Sequence, residues 1–161
     1  MNMEICNAFL KSVVDMLREM VDGNTGTDAL FYPESNEILS KGVCTIINFE
    51  GKIKGRLMLD MAQESALNLV KSITGRQYET AKEMPVLSAI AELNNTIAGD
   101  AVTNLNNKYF LCLKLSPPTV LASKEALICS DKIPSRSVNC KTTFGDIKVN
   151  IAFNEEEWSN G

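Results

Sequence analysis

Histidine is absent from this 161-residue sequence. That excludes Ser-His-Asp and Cys-His catalytic arrangements, His-ligated zinc and an imidazole general base. Paired cysteines are missing too: Cys6, Cys44, Cys112, Cys129 and Cys140 are scattered, odd in number and form no C-x-x-C pair. They read as buried free thiols rather than a disulfide framework, a metal site or a thiol redox centre. No excess of positive charge is present; the net charge of −4 argues against non-specific binding to nucleic acid or anionic membranes. No apolar run approaches membrane-spanning length, so no membrane insertion is expected. The opening MNMEICNAFLKSVVDML lacks a cationic start followed by a continuous apolar run and does not resemble a signal peptide. A cytoplasmic protein is expected, whose chemistry must run on carboxylates, amides, hydroxyls, lysines or a partner's groups.

What is present fits one globular domain: 45% hydrophobic and 22% charged residues over a length able to bury a core. Residues 3–21 carry Ile5, Phe9, Leu10, Val13, Val14, Leu17 and Met20 at helical spacing, closed by Gly23 and Gly26, with NTGT as a loop. Ala29–Tyr32 reads as a short strand ending at Pro33. GVCTIINF (42–49) and IKGRLML (53–59) flank Glu50–Gly51 as a β-hairpin whose Lys54–Arg56 face is solvated. A second helix spans 62–74 and stops at Gly75. Pro85 opens a long helix that the NNK cluster ends near Asn106. After the Ser116–Pro117–Pro118 corner come a strand at 119–123 and a hairpin, 136–143 with 146–153, around Phe144–Gly145–Asp146. The order implies an α+β fold, a mostly antiparallel sheet with long helices on one face, as a single domain of residues 1–161. Its core spans about residues 3–154, and residues 155–161 form a frayed tail.

The long helix carries the candidate site. Ser88, Glu92 and Asn95 stand four and then three residues apart, and Pro118 follows as Ser-x3-Glu-x2-Asn-x22-Pro. At about 100° per residue with Ser88 at zero, Glu92, Asn95 and Gly99 fall at roughly 40°, −20° and 20°. Leu87, Ile90, Leu93, Ile97, Ala101 and Leu105 occupy roughly 140° to 260°, so the polar stripe opposes the core. Gly99 leaves a low spot where another backbone can approach. Asn94 falls inside the apolar arc and needs hydrogen-bond partners if buried. By periodicity alone the stripe reads first as an ordinary solvated face. The serine and the distant proline make the pattern specific.

The four-position spacing resembles the signature of the CheC/CheX/FliY family of chemotaxis phosphatases, in which Asp or Ser, then Glu, Asn and a distant Pro recur. Ala91-Glu92-Leu93-x-Asn95-x-Ile97-Ala98-Gly99 is similar to the family's helix, Gly51-x3-Gly55-x-Leu57-x-Leu59 to its glycine-bearing strands, and Phe9–Met20 to its opening helix. A single copy in a chain this short resembles the CheX type; the CheC type carries two. Asn94 and Ala91 depart from the pattern, standing where a small or apolar residue and a glycine are commoner.

The resemblance implies a phosphatase acting on the aspartyl phosphate of a CheY-type response-regulator receiver domain. Asn95 would orient the attacking water, Glu92 would contact the receiver, Ser88 and Pro118 would support them, and Gly99 would lie at the docking surface. No cofactor of its own is implied; Mg2+ is expected on the receiver. A homodimer joined sheet edge to sheet edge, through one of the later strands, is also implied. The alternative is a non-catalytic interaction module that binds a receiver or a flagellar switch protein.

Overall fold

The computed structural model describes residues 2–28, 30–129 and 133–154. In chain order the elements are α1 (Met3–Met20), β1 (Gly26–Thr27), β2 (Tyr32–Glu34), β3 (Glu37–Leu39), β4 (Gly42–Glu50), β5 (Lys54–Ala62), α2 (Gln63–Thr74) and α3 (Met84–Tyr109). They continue as β6 (Lys114–Leu115), β7 (Thr119–Ala122), β8 (Leu127–Cys129), β9 (Ser135–Thr142) and β10 (Gly145–Phe153). The main sheet is antiparallel, ordered β1-β9-β10-β5-β4-β6, with β2 also on β9 and β7 also on β4. The helices cover one face of it, giving the α+β architecture expected from the order of elements.

Alternation builds that face. Val43, Ile47 and Phe49 on β4, Leu57, Leu59 and Met61 on β5, and Ile147, Val149, Ile151 and Phe153 on β10 all point to the helices and are buried. Against them α1 lays Ile5, Phe9, Val13 and Leu17, with the Phe9 and Phe49 rings stacked 5.0 Å apart. Asn2 starts that helix by accepting the Glu4 amide on its side-chain oxygen. Gly55 lies beneath Phe49: a Cβ there would come 2.6 Å from the Phe49 ring and 2.7 Å from the Phe153 Cβ, and nearer still to the Ala152 carbonyl. Gly51, at the hairpin tip, passes under the chain leaving α3, where a Cβ would meet the Leu111 carbonyl oxygen at 2.6 Å. The two glycines of the hairpin are thus places of close approach.

Several boundaries differ from the sequence expectation. Within NTGT, Gly26 and Thr27 pair with β9 instead of looping. The early strand is Tyr32–Glu34 and runs through Pro33, tolerated because β2 is an edge strand; Ala29 lies outside the described residues. The long helix continues past Asn106 to Tyr109. Asn106 does not break it because its amide turns outward and clamps the returning chain, donating to the Leu113 carbonyl at 3.1 Å and accepting the Leu113 amide at 2.7 Å. Phe110 ends the helix in the left-handed region at φ 54°.

The far face of the sheet is not simply wet. A small ribbon, β3 paired with β8, covers part of it and buries Ile38 and Ile128 on Cys44 and Met58. Beside it Asp60 is buried, accepting from Ser40 Oγ at 2.6 Å and the Lys41 amide at 2.9 Å. Burial pushes the Asp60 carboxyl above its ordinary value despite those bonds. All five cysteines are free, but only Cys6, Cys44 and Cys140 are buried; Cys112 and Cys129 are exposed, against the expectation for all five. The expected tail, 155–161, lies outside the described residues. No helix of the described residues is long and apolar enough to cross a membrane.

Candidate functional site

Pro85 sits in the first turn of α3, where its missing N–H costs nothing. From there Val86, Ile90, Leu93, Ile97, Ala101 and Leu105 drive one side into the core. Leu87 is only half-buried, and Ala98 and Val102 widen the buried arc towards the polar stripe. The stripe itself emerges as expected. Ser88 and Glu92 are exposed, Asn95 is half-buried at its edge, and Gly99 is partly exposed. Among the described residues none of the three side chains has a hydrogen-bond or ion-pair partner, which leaves a carboxylate and an amide available to another molecule. A Cβ at Gly99 would meet nothing within 4 Å. The low spot is therefore open to the outside.

Asn94, one residue before Asn95, is fully buried. Its Nδ2 donates to Thr45 Oγ1 on β4 at 3.3 Å, and its Oδ1 is buried with no partner among the described residues. Thr45 in turn donates to the Thr119 carbonyl at 2.9 Å. A side-chain relay therefore runs from α3 through β4 to the residue that follows Pro118.

Pro118 has a specific place in the sheet. β6 pairs Phe49 with Leu115 and Glu50 with Lys114, whereas β7 pairs Ile46 with Thr119 and Thr45 with Val120. The partner numbers sum to 164 in the first pairing and 165 in the second, so one extra residue has been inserted between them. β6 and β7 are two halves of one edge strand, interrupted by a bulge at Pro117–Pro118. Two residues without N–H groups cannot continue the ladder, and a bulge accommodates them. Ser116 fixes the near side by exchanging bonds with Asn48, its amide to the carbonyl at 2.9 Å and its Oγ accepting the Asn48 amide at 3.1 Å. Thr119 fixes the far side. The half-buried Pro118 is thus held on the strand pair against which α3 packs.

The arrangement is a protruding helical face beside a bulged edge strand, not a cleft. A recess lined by Asn48, Lys54, Arg56, Lys114 and Ser116 lies on the other face of the sheet, away from the stripe. An exposed carboxylate, a neighbouring amide and a glycine gap suit docking on another macromolecule better than enclosing a small one. Sequence reasoning placed Ser88, Glu92, Asn95 and Gly99 on this surface and Pro118 at a corner. It missed Thr45 and the bulge, for which a lone threonine in a strand gives no signal.

Comparison with known proteins identifies the family and supports the fold. Residues 43–141, from β4 into β9, match the family model described as chemotaxis phosphatase CheX, and the match includes all five candidate positions. The CheY-P phosphatase CheX of Thermotoga maritima is 30% identical over 135 residues, covering 81% of this chain and 83% of that protein. A CheC-like superfamily protein from Shewanella sp. PV-4 superposes with a TM-score of 0.85 at 20% identity, covering 96% of this chain and 99% of that one. The CheX of a CheX–CheY–BeF3–Mg2+ complex from Borrelia burgdorferi superposes with a TM-score of 0.74 at 24% identity, covering 93% and 97%. The extent of the family match and the identity to the Thermotoga protein establish that the chain belongs to the CheX family of chemotaxis phosphatases.

Proposed function

We propose that the protein hydrolyses the aspartyl phosphate of a CheY-type response-regulator receiver, with Asn95 orienting the attacking water and Glu92 contacting the receiver. The observation that carries this reading is the placement of Glu92 and Asn95 on one open helical face, without partners among the described residues, on a helix that packs against the strand pair carrying the Pro118 bulge. The Thermotoga relative is named for that activity, and the Borrelia neighbour is a complex with CheY. Residues 3–154 are read as one CheX-like unit. The edge strand β7, whose Leu121 is exposed, is the place where a second copy joins to form a homodimer.

The chemistry asks little covalent work of the protein. Aspartyl phosphate is a mixed anhydride: water oxygen bonds to phosphorus as the bond from phosphorus to the aspartyl oxygen breaks, and the carboxylate leaves with its electron pair. The water's protons pass to phosphate and solvent. The transition state is loose, so alignment and charge balance dominate. Asn95 accepts a hydrogen bond from the water on its amide oxygen, turning a water lone pair towards phosphorus, and its protonation state does not change near neutral pH. Glu92 pairs with a lysine of the receiver's site in a charge-assisted contact. Exposed Ser88, on the same stripe, and Pro118, in the bulge of the edge strand, are the supporting positions. Mg2+ is assigned to the receiver in this reading; the Borrelia neighbour is a complex that contains CheY, BeF3 and Mg2+.

The test is phosphate release from an acyl-phosphorylated receiver. Asn95→Ala is expected to slow release at saturating receiver by roughly 100-fold, the usual scale for losing alignment of a reacting group. Glu92→Ala is expected to weaken the receiver interaction. Release as fast as the parent in both variants would overturn the assignment.

A further inference from the structure

Asn94 is the polar residue on the core side of α3 that the proposed chemistry leaves unused. It is fully buried, as is its partner Thr45. An apolar side chain in that place would leave no orphan acceptor, whereas Asn94 leaves Oδ1 unpaired among the described residues. What the amide adds is direction. Apolar contacts between a helix and a sheet are non-directional, and they tolerate a small roll of the helix about its axis. A hydrogen bond weakens steeply when bent. The relay from Asn94 Nδ2 to Thr45 Oγ1 (3.3 Å) and on to the Thr119 carbonyl (2.9 Å) ties the roll of α3 to the strand that carries the bulge. A further bond, from Thr119 Oγ1 to the Ile46 carbonyl at 3.4 Å, holds the same end of β7.

The lever is steep. Side-chain tips lie about 5–6 Å from a helix axis, so a roll of about 10° moves the Asn95 amide by about 1 Å. A displacement of about 1 Å can cost up to about 100-fold in rate. We propose that Asn94, acting through Thr45, is a positioning residue: it fixes the rotation of α3 so that the Asn95 amide stands in register with the Pro118 bulge. The inference rests on the proposed role of Asn95.

The experiment compares Thr45→Val, which removes the hydroxyl at nearly constant volume, with Thr45→Ser, which keeps it. Phosphate release from an acyl-phosphorylated receiver is measured well below the melting temperature, with kcat and KM resolved. Thr45→Val is expected to lower kcat by about tenfold or more with KM within about twofold of the parent, whereas Thr45→Ser stays within about threefold of the parental kcat. Asn94→Ala is expected to behave like Thr45→Val, and it carries the answer if that variant does not fold. The double variant should be no slower than either single one. Parental kcat in folded Thr45→Val and Asn94→Ala, with only the melting temperature lowered, overturns the proposal and leaves a purely structural relay. Asn95→Ala in the same assay separates the two ideas. If it is slow while Asn94→Ala is normal, the positioning role alone fails; if it is as fast as the parent, the reading of Asn95 fails first.

Discussion

Gly99 gives a prediction in which stability and activity should move in opposite directions. It lies inside the 26-residue helix α3, and a Cβ there would meet nothing within 4 Å. Gly99→Ala therefore gains helix propensity without a clash and without burial. The gain is the difference between the two residues in a helix interior, about 0.5–1 kcal/mol. In a domain of this size that raises the melting temperature by roughly 1–4 °C. Gly99→Trp adds a large side chain pointing into the same open space. If a receiver seats against that gap, the bulk pushes it outward, since distances between packed helices range over about 8–10 Å with side-chain size. A shift of about 1–2 Å at the Asn95 water lowers kcat/KM by up to about 100-fold. Thermal unfolding followed by circular dichroism and phosphate release from an acyl-phosphorylated receiver read the two quantities. Gly99→Trp with parental kcat/KM would remove Gly99 from the docking surface, and Gly99→Ala melting below the parent would refute the propensity argument.

Gly55→Ala should fail for the opposite reason. Its Cβ would press on the Ala152 carbonyl, the Phe49 ring and the Phe153 Cβ, so a loss of about 1–3 kcal/mol or more is expected in denaturant titration. The mostly buried pair of Lys148 and Glu34, 3.0 Å apart on the far face of the sheet, should show a pH signature. Burial opposes the Glu34 charge, but the bonds from Lys148 and Ser137 outweigh it and hold the carboxyl below its ordinary value of 4.5. The stabilisation is therefore present above pH 4.5 and lost as pH falls through the lower folded-state value. Lys148→Met should cost about 1–3 kcal/mol at pH 7, shrinking on acidification below that point; a pH-independent difference in urea unfolding would contradict it. Light scattering at micromolar concentration should give twice the chain mass, and Leu121→Lys on the exposed edge of β7 should lower it towards that of one chain. A monomeric parent would end the dimer proposal.

Helices and hairpins were legible because their periods are local. The 3.6-residue repeat along α3 was enough to set Ser88, Glu92 and Asn95 opposite Ile90, Leu93 and Ile97, and the glycine-bearing hairpin announced β4 and β5. The short strands β3, β6 and β8 were not legible. At two or three residues each they carry no period to read, and they exist because distant partners supply their hydrogen bonds. The same holds for Pro33, acceptable only because its strand lies at an edge. Asn106 looked like a helix stop, since its role as a clamp depends on where the chain returns.

The candidate site divides along the same line. The sequence by itself determined which residues share the exposed stripe and that, with no histidine in the chain, the stripe presents an amide and a carboxylate. Only the tertiary structure decided that Pro118 marks a one-residue bulge in an edge strand on β4, and that buried Asn94 reaches Thr45. Thr45 and Thr119 pair across 74 positions of chain and Asn94 with Thr45 across 49, so no local pattern encodes either contact. Faces follow from backbone period. Register between an edge strand and a helix follows from hydrogen bonds that exist only once the sheet has closed.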